Sequence, residues 1–201
     1  MLLSVKTRQK YLKELGFYNG AIDGKVGPKT KKAYKDLQKT YFTKTSRPKD
    51  RNGIYGKDTD ILLRSAYNCK DAKHFKLEEF VCKCKKDCTG YPVELSKLLI
   101  DNLDKLREHY GKSITIKSGE RCNKHNKAVG GSSTSKHKKG KASDIYFTKC
   151  STKNGRIEVV NYWTKILGQY HAYCNGYRVR GGKVSYPNTP NMGTSVHVEV
   201  K

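Results

Sequence analysis

The chain has 201 residues, with 42 lysines and arginines against 18 acidic residues and a formal net charge of +24. That length allows one large or two small domains, and so basic a balance implies a polyanionic partner, either nucleic acid or the acidic polymers of a bacterial wall. No run approaches the roughly 20 apolar residues of a membrane span, so membrane insertion is excluded.

The opening, MLLSVKTRQ, has only Leu2-Leu3 as an apolar stretch and no small-residue cleavage site, so a signal peptide is not expected and the protein reads as made in the cytoplasm. Val5, Leu12 and Leu15 then keep helical spacing and stop at Gly16. Phe17 to Gly24 is a turn-rich link. Pro28 suits the first turn of a second helix carrying Ala33, Tyr34, Leu37 and Gln38. A half-repeat is visible: Gly24-x-x-Gly27-x-x-Thr30 and Gly53-x-x-Gly56-x-x-Thr59 share one spacing, and each leads into a helix, the later one around Ile61–Leu63. Thr43 to Asn52 is polar and reads as a loop. Residues 1–68 are thus expected to form a small all-α, three-helix domain.

This segment, through LKELGFYNGAIDGKVGPKTKKAYKDLQ and GIYGKDTDILLRSA, resembles the type 1 peptidoglycan-binding domain. The resemblance implies a compact wall-binding module. Tyr18 and Asp23, with Asn19 and Tyr55, are its candidate sugar contacts, although most such aromatics and glycines simply close helix connections.

The pattern breaks around Asn68 to Lys73, which places a domain boundary there and a second domain at 73–201. A linker this short leaves two modules little independent freedom. The second domain opens on HFKLEEFVCKCKKDC. Cys82, Cys84 and Cys88 invite a structural zinc, with His74 as a fourth ligand, but no C-x-x-C knuckle is present. The seven cysteines are odd in number, so free thiols are the default, and Cys122, Cys150 and Cys174 read as isolated buried thiols. Pro92 to Tyr110 reads as the clearest helix, with Val93, Leu95, Leu98, Leu99, Leu103 and Leu106 as a stripe under a sheet. Ser113–Lys117 reads as a strand and Arg156 to Leu167 as a helix. Tyr173 to Tyr186 reads as a hairpin around Gly181-Gly182. His109 reads as helix surface, and His171 is left open as a helper at a site. The domain is expected to be α+β with an antiparallel sheet.

Chemistry concentrates in SGERCNKHNKAVGGSSTSKHKKGKASD, residues 118–144, and in SVHVEV at 195–200. His137 and Asp144 at short range, with the distant His197, make a minimal three-ligand set for a catalytic zinc, leaving a fourth position for water. A histidine and an aspartate seven apart also occur by chance. Asp144 opens a β-prone segment, and Val196–Val200 alternates as a strand, so His197 and Glu199 share one face and three valines the other.

The lead-in SGERCNKHNKAVGG followed by S-x-H-x-x-G-x-A-x-D resembles the M15 zinc peptidases, the D-alanyl-D-alanine carboxypeptidase and VanY-like group that includes many phage endolysins. The resemblance spans Lys73 to Lys201. It implies one zinc per chain on His137, Asp144 and His197, with Arg121 facing the substrate and Ser135 beside it. The family often carries an acid three residues before the last histidine. Here that position is Thr194. Glu199 is then the candidate general base, the alternative being that it orients His197 through its free ring nitrogen. Glu120 is a weaker candidate.

Together the two halves imply a monomeric endolysin with peptidoglycan as its partner, released from the host cytoplasm to the wall. Zinc-activated water would hydrolyse a peptide bond of the stem or cross-link. D-Ala–D-Ala, L-Ala–D-Glu and cross-bridge bonds all stay open. An inactive wall-binding protein and a basic nucleic-acid binder are the competing readings. The second has only charge behind it, since no nucleic-acid-binding motif is present.

Overall fold

The computed structural model describes residues 1–42, 50–85, 87–189 and 192–201. The expected loop at 43–52 therefore falls, over 43–49, outside the described residues.

The N-terminal unit is helical, as expected. Helix α1 (Val5–Glu14) is capped by Ser4, whose hydroxyl accepts from the Thr7 amide. Helix α2 (Pro28–Tyr41) has Pro at its start and α3 (Lys57–Cys69) begins after Gly56. Leu12, Tyr34, Leu37, Leu62 and Leu63 are fully buried between them.

The half-repeat is built around two residues that sequence reading passed over as chemistry. Gln9 and Gln38, related by the same offset as Gly24 and Gly53, are both buried. Gln9 Oε1 accepts from Gly24 N at 2.8 Å, while its Nε2 donates to Asp23 Oδ1 and Lys25 O. Gln38 repeats the arrangement, accepting from Gly53 N at 2.8 Å and donating to Ile54 O and Thr59 Oγ1. Each amide side chain thus replaces the water that a buried turn would lack. The turns need glycine because φ is 77° at Gly24 and 78° at Gly53.

The C-terminal unit holds a six-stranded sheet in the order β1-β2-β6-β3-β4-β5, antiparallel throughout. The strands are β1 (Thr115–Ser118), β2 (Ala142–Tyr146), β3 (His171–Cys174), β4 (Tyr177–Arg180), β5 (Lys183–Ser185) and β6 (Val196–Glu199). The helices of this unit are α4 (Lys97–Tyr110), α5 (Asn123–Ala128) and α6 (Lys153–Asn161), which runs on into a π turn at Tyr162–Ile166. α6 packs across β3, β4 and β6, burying Val159 and Val160, and the π turn buries Trp163. The region expected as one hairpin is two: β3 turns into β4 at Asn175-Gly176, and β4 into β5 at Gly181-Gly182.

Two expectations for the leucine-rich helix are corrected. It starts at Lys97 rather than Pro92, because tertiary hydrogen bonds hold the preceding backbone extended: Leu95 N donates to Ser65 Oγ at 2.9 Å and Ser96 N to Gly140 O. Its main neighbours are α3 and the π turn rather than the sheet, and Leu98 is 46% exposed, so it leaves the stripe. Ile100 takes a buried place beside Leu99, Leu103 and Leu106.

The two units share contacts. Besides the Ser65 bond, Asn68 Nδ2 donates to Leu95 O at 2.8 Å, and Tyr41 meets Tyr91 edge-on. No described helix is long and apolar enough to cross a membrane.

Candidate metal centre

Register brings the site together. Asp144 on β2 lies directly opposite His197 on β6, and His197 lies opposite Tyr173 on β3. His197 and Glu199 do share a face, with Val196, Val198 and Val200 buried on the other. His137 arrives from a single helical turn at Lys136–Lys139 that ends in a left-handed Gly140.

Three side-chain atoms converge. His197 Nδ1 lies 2.8 Å from Asp144 Oδ1, and His137 Nε2 lies 3.3 Å from each of them. The outer bonds fix the tautomers. His137 Nδ1 is 2.6 Å from the carbonyl of Gly119, which can only accept, so Nδ1 carries the hydrogen and Nε2 presents a lone pair. His197 Nε2 faces Glu199 Oε2 at 3.2 Å, which likewise turns the Nδ1 lone pair inward. Three acceptors thus point at one another inside the protein, which is unfavourable unless something positive lies between them.

The electrostatics follow from that crowding. Burial lowers the pKa of His137. Burial also opposes charge on His197, but its bonds to Asp144 and Glu199 outweigh this and raise its pKa. Burial favours the neutral acid at Asp144, yet the two histidines hold it well below the usual carboxylate range. Three ligands about 2.0–2.2 Å from a zinc ion would be spaced by roughly 3.4 Å in a tetrahedron. The observed separations of 2.8–3.3 Å suit that spacing with little movement.

The other expected residues divide. Arg121 is at the site: its Nη2 donates to Asp144 Oδ2, and its Nε to Ser118 Oγ at 2.9 Å. Glu199 is beside the site but behind His197, with Oε1 accepting from His171 Nδ1 at 3.2 Å and Oε2 from His197. Burial alone would raise its pKa, but those bonds to His171 and His197 hold it well below the usual carboxylate range. Tyr173 stacks on the His197 ring, and Trp163 Nε1 donates to the Glu199 carbonyl. Ser135 is half-buried at the start of the His137 turn and outside the converging set. Glu120 is buried away from the site, its Oε2 meeting the Val93 amide. Thr194 is exposed.

Tyr18 and Asp23 are spent on loop closure. The Tyr18 hydroxyl donates to Ala21 O at 2.7 Å and accepts from Gln9, while Asp23 Oδ1 accepts from Gln9 and Lys25 N. Tyr18 nonetheless borders a shallow 320 Å³ depression with Phe17, Asn19 and Asp36. His171 had no assignment in the sequence beyond that of an open helper. Its bond to Glu199 depends on the β3–β6 pairing, which sequence spacing does not reveal.

Residues 73–173 match the family described as Peptidase M15, half of the chain. The chain belongs to the Peptidase M15 family. Residues 3–59 match the family described as "Putative peptidoglycan binding domain". No curated protein matches the chain. The two matches describe a peptidase that acts on peptidoglycan. The M15 match ends at Tyr173, so His197 enters the set through sheet register rather than through the matched stretch.

The M15 unit also makes a testable packing demand. A side chain at Gly119 would run into the backbone of Phe80, whose carbonyl accepts from Glu120 N at 2.8 Å. Gly119→Ala is expected to cost about 2 kcal/mol. It should also shift the Gly119 carbonyl that fixes His137. A denaturant melt with parallel metal titration checks both, and an unchanged midpoint would contradict the close packing.

Proposed function

We propose that this M15 peptidase is a zinc-dependent, endolysin-type hydrolase of peptide bonds in the stem or cross-link of peptidoglycan. In this reading residues 1–68 hold the wall and 73–201 cut it. The observation that carries the reading is the convergence of His137 Nε2, Asp144 Oδ1 and His197 Nδ1, three lone pairs with their tautomers fixed from outside. A zinc ion held there would bring bound water towards neutral pKa and polarise a substrate carbonyl.

The protein's own residues do the rest. Arg121 uses Nη2 to hold Asp144 in place, which among the described residues leaves Nη1 for a substrate oxygen. A guanidinium suits that position because it keeps its charge and can face two oxygens at once. Ser135, half-buried at the start of the His137 turn, is a candidate substrate contact. Glu199 keeps His197 in its ligating tautomer, and His171 steadies Glu199 from behind. The net charge of +24 favours retention on an anionic wall and weakens with salt. A wall strand would lie in the 650 Å³ cleft bordered by Lys31, Lys35 and Tyr55, where Arg8 stacks on the Tyr55 ring.

The role of Glu199 is open to a direct test. Gln keeps an acceptor for His197 Nε2 but cannot take a proton as a base. Glu199→Gln is expected to retain zinc affinity and hydrolysis within about tenfold, whereas Glu199→Ala loses roughly 10–100-fold in metal affinity. Zinc titration and wall hydrolysis of both variants decide it. A Gln variant that binds zinc normally but is inert would make Glu199 the base instead.

Wall hydrolysis also tests the whole reading. Turbidity loss of a wall suspension that stops with chelator and returns with zinc is the expected result. Wall binding without hydrolysis in zinc-loaded protein would favour an inactive binder.

A further inference from the structure

A second group of ligands lies apart from the His137 cluster. The thiol sulfurs of Cys82, Cys84, Cys88 and Cys122 all lie within 4.8 Å of one another. The sequence suggested His74 as a fourth partner to the first three and read Cys122 as isolated. The fold reverses both. His74 points its backbone amide at Asp104 and lies outside the group, while Cys122 joins it from the start of α5.

The local fold is arranged to bring the four together. The chain leaves at Cys82 and returns at Gly90, where Cys82 N donates to Gly90 O at 2.7 Å and closes the loop. The neighbouring stretch 119–122 is pressed against it through the Gly119–Phe80 approach and the Glu120 N to Phe80 O bond. Backbone amides then aim at the sulfurs: Cys122 N at Cys82 Sγ (3.3 Å), Gly90 N at Cys88 Sγ (3.3 Å) and His125 N at Cys122 Sγ (3.4 Å). Amides donating to sulfur favour thiolate over thiol. Lys124 lies within electrostatic reach of Cys84 and Cys122, and its ion pair with Asp87 at 2.6 Å ties α5 to the loop. A tetrahedron of four sulfurs at a zinc–sulfur distance of about 2.3 Å has edges of roughly 3.8 Å. The Cys84 and Cys88 sulfurs are 3.4 Å apart, and the longest separation in the group is within 4.8 Å.

We propose that Cys82, Cys84, Cys88 and Cys122 form a closed, structural four-thiolate site for zinc, separate from the open His137–Asp144–His197 centre. Binding releases the thiol protons to solvent as the four sulfurs ligate; no electron is transferred and no fifth position is left for water. The site clips the 82–90 loop to the segment carrying Gly119 and Arg121. It therefore braces both the carbonyl that fixes His137 and the guanidinium that holds Asp144.

The test uses the full chain, purified reduced, with the His centre removed by His137→Ala together with His197→Ala. This protein is expected to keep about one zinc per chain. Replacing that zinc with cobalt should give the intense visible and near-ultraviolet bands of a tetrahedral cobalt–thiolate set. Adding Cys84→Ser and Cys88→Ser should abolish both. Should that variant fail to fold, cobalt titration of the His-centre variant alone still decides the matter. Two results would overturn the proposal: no bound zinc and no cobalt–thiolate bands in the reduced His-centre variant, or the four cysteines freely alkylated in that protein at saturating zinc.

Discussion

The His137→Ala protein is expected to lose zinc from the sheet-borne centre and to hydrolyse walls at least about a thousandfold more slowly. The magnitude follows from chemistry worth several kcal/mol, with each ~1.4 kcal/mol counting tenfold in rate. His137 is 1% exposed and supplies one of the three converging atoms. Alanine leaves Asp144 and His197 as a two-ligand remnant. The four-thiolate zinc should be untouched, so total zinc should fall from about two per chain to about one. Retained wall binding and an unchanged circular dichroism spectrum would separate loss of the centre from loss of the fold. Near-wild-type hydrolysis would contradict a role for this histidine.

The second large effect concerns stability. Gln38→Leu is expected to cost about 3 kcal/mol, because it removes three hydrogen bonds, leaves Gly53 N unpaired at a buried turn, and leaves Ile54 O and Thr59 Oγ1 only their 3.3 Å bond to each other. At roughly 2–4 °C per kcal/mol for a chain of this size, the melting temperature should fall by about 10 °C. Gln9→Leu should behave alike, since Gln9 makes the equivalent bonds one half-repeat earlier. Thermal melts of both variants check this. A loss under about 1 kcal/mol in either would show that the turns hold without their amide anchors.

The same glutamines show what sequence could and could not reveal. The glycine and threonine repeat was visible because turn residues announce themselves by type. Gln9 and Gln38 sit at ordinary helix positions, where nothing local marks them as buried; only the shared offset with Gly24 and Gly53 could have. His137, Asp144 and His197 were legible for a related reason. A histidine–aspartate pair with glycines around it and an alternating terminal strand are local patterns, and the antiparallel pairing then sets Asp144 opposite His197. The start of α4 was misplaced because helical spacing continued through Val93 and Leu95, while the bonds that hold that stretch extended come from Ser65 and Gly140, far along the chain. Cys122 was passed over for the same reason. Its partners lie across a tertiary junction that no spacing encodes. Glu199 was placed on the correct face, but the position of His171 behind it required the β3–β6 register.

The most direct test of the central claim is product analysis of purified peptidoglycan digested by zinc-loaded protein, with the His137→Ala protein alongside. The reading predicts new amino and carboxyl termini at a single type of peptide bond, no new reducing sugar ends, and neither product from the variant. New reducing ends, or equal release by the variant, would contradict a peptidase working from His137, Asp144 and His197.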